Sequence, residues 1–159
     1  MTNNIGLNKN LSDKVAVELN NLLASYQVFY MNVRGYHWNI KGVGFFQLHL
    51  KFEEYYNDLV EKVDEIAERV LTLGATPTHA FSNYLTVSRI AEHKNVTRAQ
   101  DCLQGCLSGF QTLIEQQREI FSLAGEADDE GTTALMSDYI REQEKIIWML
   151  TSACETCHA

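Results

Sequence analysis

A single proline, Pro77, in 159 residues with nine glycines leaves this chain few places to break a helix. The hydrophobic pattern uses that freedom. One apolar stripe of helical period begins near Ser12, which reads as an N-cap with Asp13 in the first turn, and runs through Val15, Leu19, Leu22, Tyr26, Phe29, Tyr30 and Val33. A second extends from about Phe45 to Leu73 and stops at Gly74, carrying Leu48, Phe52, Tyr55, Tyr56, Leu59, Val63, Ile66 and Val70. A third opens at Thr97, where Gln100 completes a capping box, and continues through Leu103, Leu107, Phe110, Leu113, Ile114 and Phe121 to a stop at Gly125. A fourth starts at Thr132 and holds Leu135, Tyr139, Ile140, Ile147 and Leu150. No strand-type alternation competes with these patterns, and no internal repeat is present.

The connections define the architecture. Short loops join the first helix to the second and the third to the fourth, which makes each pair antiparallel. Between them lies "ATPTHAFSNYLTVSRIAEHKNV", a connection long enough to need a structural reason. Two hairpins joined by one long crossover give an all-α, ferritin-like four-helix bundle. Capping and apolar spacing in "FSNYLTVSRI" place a short helix in the crossover, around Ser82–Ile90. The whole chain, 1–159, reads as one domain, with 1–11 a flexible N-terminal segment and 153–159 a C-terminal tail.

Composition excludes several classes. Hydrophobic residues make up 45%, an ordinary globular content. No apolar run approaches the roughly 20 residues needed to span a bilayer. "MTNNIGLNKNLSDK" has no apolar signal-peptide region, so a cytoplasmic location is expected. The net charge of −8 favours cations over nucleic acid or anionic membranes. Cys102, Cys106, Cys154 and Cys157 are then expected as thiols, the first two as small core residues one helical turn apart.

The second helix carries the chemistry. At about 100° per residue, His49, Glu53, Asp64 and Glu68 fall on one slowly drifting stripe. Imidazole and carboxylate together suit iron, manganese or zinc. Yet His49 and Asp64 stand roughly 22 Å apart along the helix axis, too far to share an ion within one chain. A twofold axis removes the conflict. If two second helices cross antiparallel near Tyr56 or Asn57, His49 of one meets Asp64 and Glu68 of the other, and His37 joins across the short loop. Two such sites form per dimer.

These residues carry a resemblance. His37-Trp38-Asn39, His49 twelve positions on, Glu53, Asp64 and the "AER" run containing Glu68 are similar to the ferroxidase pattern of the Dps-type miniferritins, the DNA-protection-during-starvation family; "KIIWMLTS" resembles that family's closing helix. The resemblance spans nearly the whole chain. It implies a hollow dodecamer with iron sites at the twofold interface. It also implies iron ligation by His37 and His49 from one subunit and by Asp64 and Glu68 from the mate, with Glu53 supporting a second, weaker iron position. The implied activity is oxidation of Fe(II), with hydrogen peroxide as oxidant, and storage of ferric mineral. Trp38, beside His37, is the candidate for trapping a stray oxidising equivalent. Relatives often line an ion pore with an aspartate in a Thr-x-Asp-Leu context. Here the run is Thr132-Thr133-Ala134-Leu135, with Asp128, Asp129, Glu130 and Asp138 as nearby acids.

Two rival readings remain. Cys154, Cys157 and His158 form C-x-x-C-H, the attachment pattern of c-type haem, and a four-helix bundle ending so would resemble a cytochrome. That reading leaves the His37–His49–Asp64–Glu68 set unexplained. A DNA-coating protein is the other; the acidic charge and the absence of a lysine-rich tail argue against it. His79 and His93 read as ordinary loop histidines without partners.

Overall fold

In a computed structural model, which describes residues 1–154, five helices account for most of the chain. They are α1 (Lys9–Asn39), α2 (Phe45–Thr72), α3 (Phe81–Val87), α4 (Ala99–Glu126) and α5 (Glu130–Ala153). The four long helices form the expected bundle, and α3 is the short crossover helix. No described helix is long and apolar enough to cross a membrane.

Helix ends differ from the sequence reading where tertiary contacts intervene. α1 starts one turn early: Asn8 is its N-cap, accepting from the Leu11 N–H at 3.2 Å. Ser12 lies buried inside the helix, where its hydroxyl accepts from Asn3 Nδ2. The same Asn3 amide donates to the Leu73 carbonyl, so residues preceding α1 are tied to the end of α2. The Thr97 capping box does not form. The Thr97 carbonyl instead accepts from the Lys41 N–H at 2.9 Å, and α4 begins after Arg98 without a side-chain cap. α4 also runs through Gly125; the left-handed turn falls at Asp128, with φ 54°. Asp129, not Thr132, heads α5, and α3 begins at Phe81 with Ser82 inside it. The stop at Gly74 holds, at φ 91°.

The core runs along the bundle axis: Leu19, Leu22, Phe29 and Val33 from α1, Phe52, Leu59, Ile66 and Val70 from α2, Cys106, Phe110 and Leu113 from α4, and Met136 and Leu150 from α5 are buried together. Cys102 and Cys106 are free buried thiols, as expected. Cys154, buried at the end of α5, accepts from Gln100 Nε2 at 2.7 Å. Cys157 and His158, and with them the C-x-x-C-H reading, lie outside the described residues. α1 and α4 nest at Gly109, where a Cβ would sit 2.1 Å from a Phe29 ring carbon. At mid-bundle, Tyr26, Gln117 and Gln143 close a buried ring of hydrogen bonds. Tyr26 donates to Gln117 (2.7 Å), Gln117 to Gln143 (2.9 Å), and Gln143 back to the Tyr26 oxygen (2.7 Å).

Polar residues on α1 explain how a long crossover stays ordered. Asn20 bonds the backbone of Thr76 and Thr78, Ser25 accepts from the Arg89 N–H, and Asn32 bonds both Ala91 and His93. Side-chain polar groups of α1, Ser25 and Asn32 among them buried, and the loop's backbone groups thus satisfy one another. α2 is bound to α5 by three ties. Lys62, buried, donates to Asp58 (2.5 Å) and Glu142 (2.9 Å). Tyr139 donates to Glu65. Arg69 pairs with Asp129 at 2.5 Å and donates to the Thr132 hydroxyl at 2.9 Å.

Candidate metal centre

α1 ends at Asn39, and Gly42 and Gly44, with φ of 92° and 85°, turn the chain back into α2. Those left-handed values favour glycine at both positions. The turn sets the last turn of α1 beside the first turns of α2 and brings His37 and His49 face to face. Their rings stack with centroids 3.8 Å apart and planes 14° from parallel. His37 Nδ1 donates to the His49 carbonyl at 2.6 Å, and His49 Nδ1 donates to the His37 carbonyl at 2.8 Å. A carbonyl only accepts, so each Nδ1 carries the proton and each Nε2 of the neutral ring keeps its lone pair. This is the arrangement that fixes a histidine for metal ligation. Phe45 stacks on His49 at 5.0 Å, and Tyr56 meets His37 edge-on at 5.2 Å, holding the pair from two sides.

The structure brings the two histidines together and leaves the acids apart. Glu53 is half-buried one turn beyond His49. Asp64 and Glu68 are exposed, on the far half of α2. Neighbouring acids on this helix are engaged, Glu54 with Lys51, Asp58 with Lys62, and Glu65 with Tyr139. The Glu53, Asp64 and Glu68 carboxylates, like that of Glu61, have no hydrogen bond or ion pair among the described residues. No group of three or more His, Cys, Asp or Glu among those residues converges to hold a metal ion. A single chain therefore offers two preset nitrogens at one end of α2 and two free carboxylates at the other.

An apolar surface accompanies these residues. Phe46, Leu50, Val60 and Leu71 are exposed on α2, and Met31 and Trp38 on α1. A groove of about 740 Å³ lies between α1, α3 and the crossover, walled in part by Met31, Trp38, Phe81 and Leu85. Exposed apolar area of this kind marks an association surface. Trp38 itself is covered by the Arg34 guanidinium, 4.6 Å from its ring centroid. Of the acids near the start of α5, Asp129 is buried and committed to Arg69 and Thr132, so it is not free to line a pore. Asp138 is exposed and paired with Arg141.

His93 is not the unpartnered loop histidine of the sequence reading. Its Nδ1 lies 2.6 Å from the buried Tyr36 hydroxyl. Burial, with the Cys106 and Cys102 thiols close by, pushes that phenol well above the ordinary tyrosine value. The available signal was the pair of mid-helix glycines in "CLQGCLSGF", a mark of close approach.

Fold and residues together define a ferritin-like protein, and a ferritin-like domain model matches residues 16–158, so the chain belongs to that family. Within it the place is specific. The chain is 42% identical to a DNA protection during starvation protein of Porphyromonas gingivalis, over 92% of each sequence. The solved structure of a Dps protein from Vibrio cholerae O1, described as a member of a broad superfamily of ferritin-like diiron-carboxylate proteins, superposes with a TM-score of 0.94 at 60% identity, covering 95% of both chains. A Dps protein from Bacillus brevis superposes with a TM-score of 0.87 at 33% identity, covering 90% of this chain and 96% of the other. The molecule is a Dps-type miniferritin.

Proposed function

We propose that this protein oxidises Fe(II) with hydrogen peroxide at sites shared between two copies of the chain, and stores the ferric product inside a shell of twelve subunits in the cytoplasm. The observation that carries the proposal is the split ligand set: two histidines locked with Nε2 lone pairs free, and two unpartnered carboxylates on the same helix stripe but beyond intrachain reach. In an isologous pair of α2 helices, His37 and His49 of one copy face Asp64 and Glu68 of the other, a nitrogen–oxygen set suited to Fe(II). Glu53 supports a second, weaker iron position beside the first. Two irons so placed deliver two electrons to peroxide together, giving two ferric ions and water without releasing hydroxyl radical. The net charge of −8 draws cations toward the protein and works against coating DNA directly.

The test is reconstitution of complementary defects. His49→Ala removes a nitrogen from one half of every site and Asp64→Ala a carboxylate from the other half. Each variant shell should oxidise Fe(II) poorly. When the two are dissociated, mixed equally and reassembled, half the dimers are mixed, and in each of these one of two sites is intact. Roughly a quarter of normal activity should return. A mixture no more active than its parents, with mixed dimers confirmed by mass spectrometry, would overturn the shared site.

A further inference from the structure

Tyr36 and His93 form a contact that the histidine site does not use. Tyr36 is buried in the last turns of α1, one residue before His37. Its hydroxyl reaches His93 Nδ1 at 2.6 Å, and the two rings meet edge-on at 5.6 Å. Surrounding groups hold the contact. The His93 N–H donates to Asn32 Oδ1 and the Asn32 amide donates to the Ala91 carbonyl, both at 2.9 Å, which pins the crossover to α1. α4 passes the pair at Gly105. A Cβ there would lie 2.2 Å from the Tyr36 oxygen and 3.1 Å from His93 Nδ1, so a side chain would push phenol and imidazole apart. A glycine inside a helix costs about 1 kcal/mol relative to alanine, and here it keeps that space open.

The chemistry of such a pair is specific. A phenol that loses an electron becomes a very strong acid, so it is a useful electron donor only where a base in hydrogen-bond contact takes its proton. His93 Nδ1 is that base, in the tautomer with its proton on Nε2, and the exposed His93 side chain is in contact with solvent. Trp38, on the other side of His37 in sequence, has the opposite setting. The Arg34 guanidinium over its ring opposes removal of an electron by placing positive charge against the cation that would form.

We infer that Tyr36 and His93 form a one-electron donor pair, a sink for oxidising equivalents that escape the neighbouring histidine site. The origin of the oxidant rests on the iron–peroxide reading. A lone Fe(II) gives one electron to peroxide and yields Fe(III), hydroxide and an oxidant of hydroxyl-radical class. Tyr36 gives that oxidant one electron, making a second hydroxide, while its O–H bond breaks and the proton moves to His93 Nδ1. A second Fe(II) then reduces the phenoxyl, and the proton returns from His93. Two Fe(II), one peroxide and two solvent protons become two Fe(III) and two waters, and no radical leaves the protein.

The test separates this pair from the iron reading by using two oxidants on the assembled protein. In the first arm, iron-free protein is oxidised by a flashed ruthenium–bipyridyl complex with persulfate, and the frozen sample is read by electron paramagnetic resonance. Wild type should give a phenoxyl signal that is mostly lost in Tyr36→Phe. It should be lost as well in His93→Gln, which keeps a hydrogen-bond acceptor but cannot take the proton. Trp38→Phe should keep the signal. In the second arm, Fe(II) and hydrogen peroxide are added, and His93→Gln should accumulate several-fold more hydroxylated and cleaved chain than wild type. Full phenoxyl signal in His93→Gln, or in a folded Tyr36→Phe, would overturn the inference. Because His93 is exposed, its variant keeps the test decisive even where Tyr36→Phe fails to fold. If wild type oxidises no iron in the second arm, the iron reading fails while the first arm still decides the pair.

Discussion

Asp129 offers a sharp test of what joins the two hairpins. Its Oδ1 accepts from the Thr132 N–H (2.9 Å) and from Arg69 Nη2 (2.5 Å), and its Oδ2 accepts from the Thr132 hydroxyl (2.5 Å). Asp129 is 1% exposed and the Arg69 side chain 18%. Asp129→Ala therefore removes a helix cap, worth about 1 kcal/mol, and strands a largely buried guanidinium, a loss of about 3–5 kcal/mol when the surviving charge cannot move. Arg69 retains some access to water and one bond to Thr132, and the two losses share atoms, so the lower end applies: about 3 kcal/mol per protomer. For a chain of this size that corresponds to a fall in melting temperature of roughly 6–12 °C. Asp129→Asn keeps the cap and loses the charge, and should sit between alanine and wild type. Arg69→Met combined with Asp129→Ala should be less destabilised than the sum of the single changes, because no charge is then stranded. Melting is followed by circular dichroism at one fixed protein concentration, so that the proposed assembly weighs equally on every variant. A melting temperature for Asp129→Ala within about 2 °C of wild type, or no difference between Asn and Ala, would refute a structural role for this ion pair.

Other consequences are as direct. Gly109→Ala drives a methyl group into the Phe29 ring and should cost about 1–3 kcal/mol by overpacking, read as an earlier melting transition; a variant as stable as wild type would mean the helices separate freely there. Replacing Phe46 and Leu50 together with glutamate should leave the helical spectrum intact but shift the particle to smaller species by light scattering, and an unchanged mass would remove this face from the assembly. Burial raises the Tyr26, Tyr36, Tyr55 and Tyr139 phenols above their ordinary value and pushes Cys102 up to about 11. Burial lowers Lys62, but its bonds to Asp58 and Glu142 outweigh that and raise it. All are raised in the folded state, so their stabilisation is complete at neutral pH and is lost as pH climbs past the unfolded values, about 8.5 for Cys and about 10 for Tyr and Lys. Denaturation midpoints should fall steadily on the alkaline side; a flat profile through pH ~11 would contradict this assignment.

The sequence carried the elements that depend on period alone. Four long amphipathic stretches and one proline-bearing connection were enough for the bundle and its crossover. His49, Glu53, Asp64 and Glu68 could be placed on one stripe because they share one helix, whose geometry is regular. What failed depended on distant segments. Ser12 looks like a cap until Asn3 claims its hydroxyl, and Thr97 looks like one until Lys41 claims its carbonyl. The Tyr36–His93 contact joins residues 57 apart through space kept by a third, Gly105, and no local pattern encodes such a meeting. Asn20, Ser25 and Asn32 anchor the crossover by bonding its backbone, and that role too depends on segments more than fifty residues away.

The ring of Tyr26, Gln117 and Gln143 fills the middle of the bundle with neutral groups whose bonds are completed by one another, and the nearby Glu65 is occupied by Tyr139. Among the described residues, the polar groups at the middle of the four-helix interior complete one another without a metal ion. Folding of the protomer therefore waits on no ion at its centre: the scaffold is finished by its own side chains before any ligand reaches its surface.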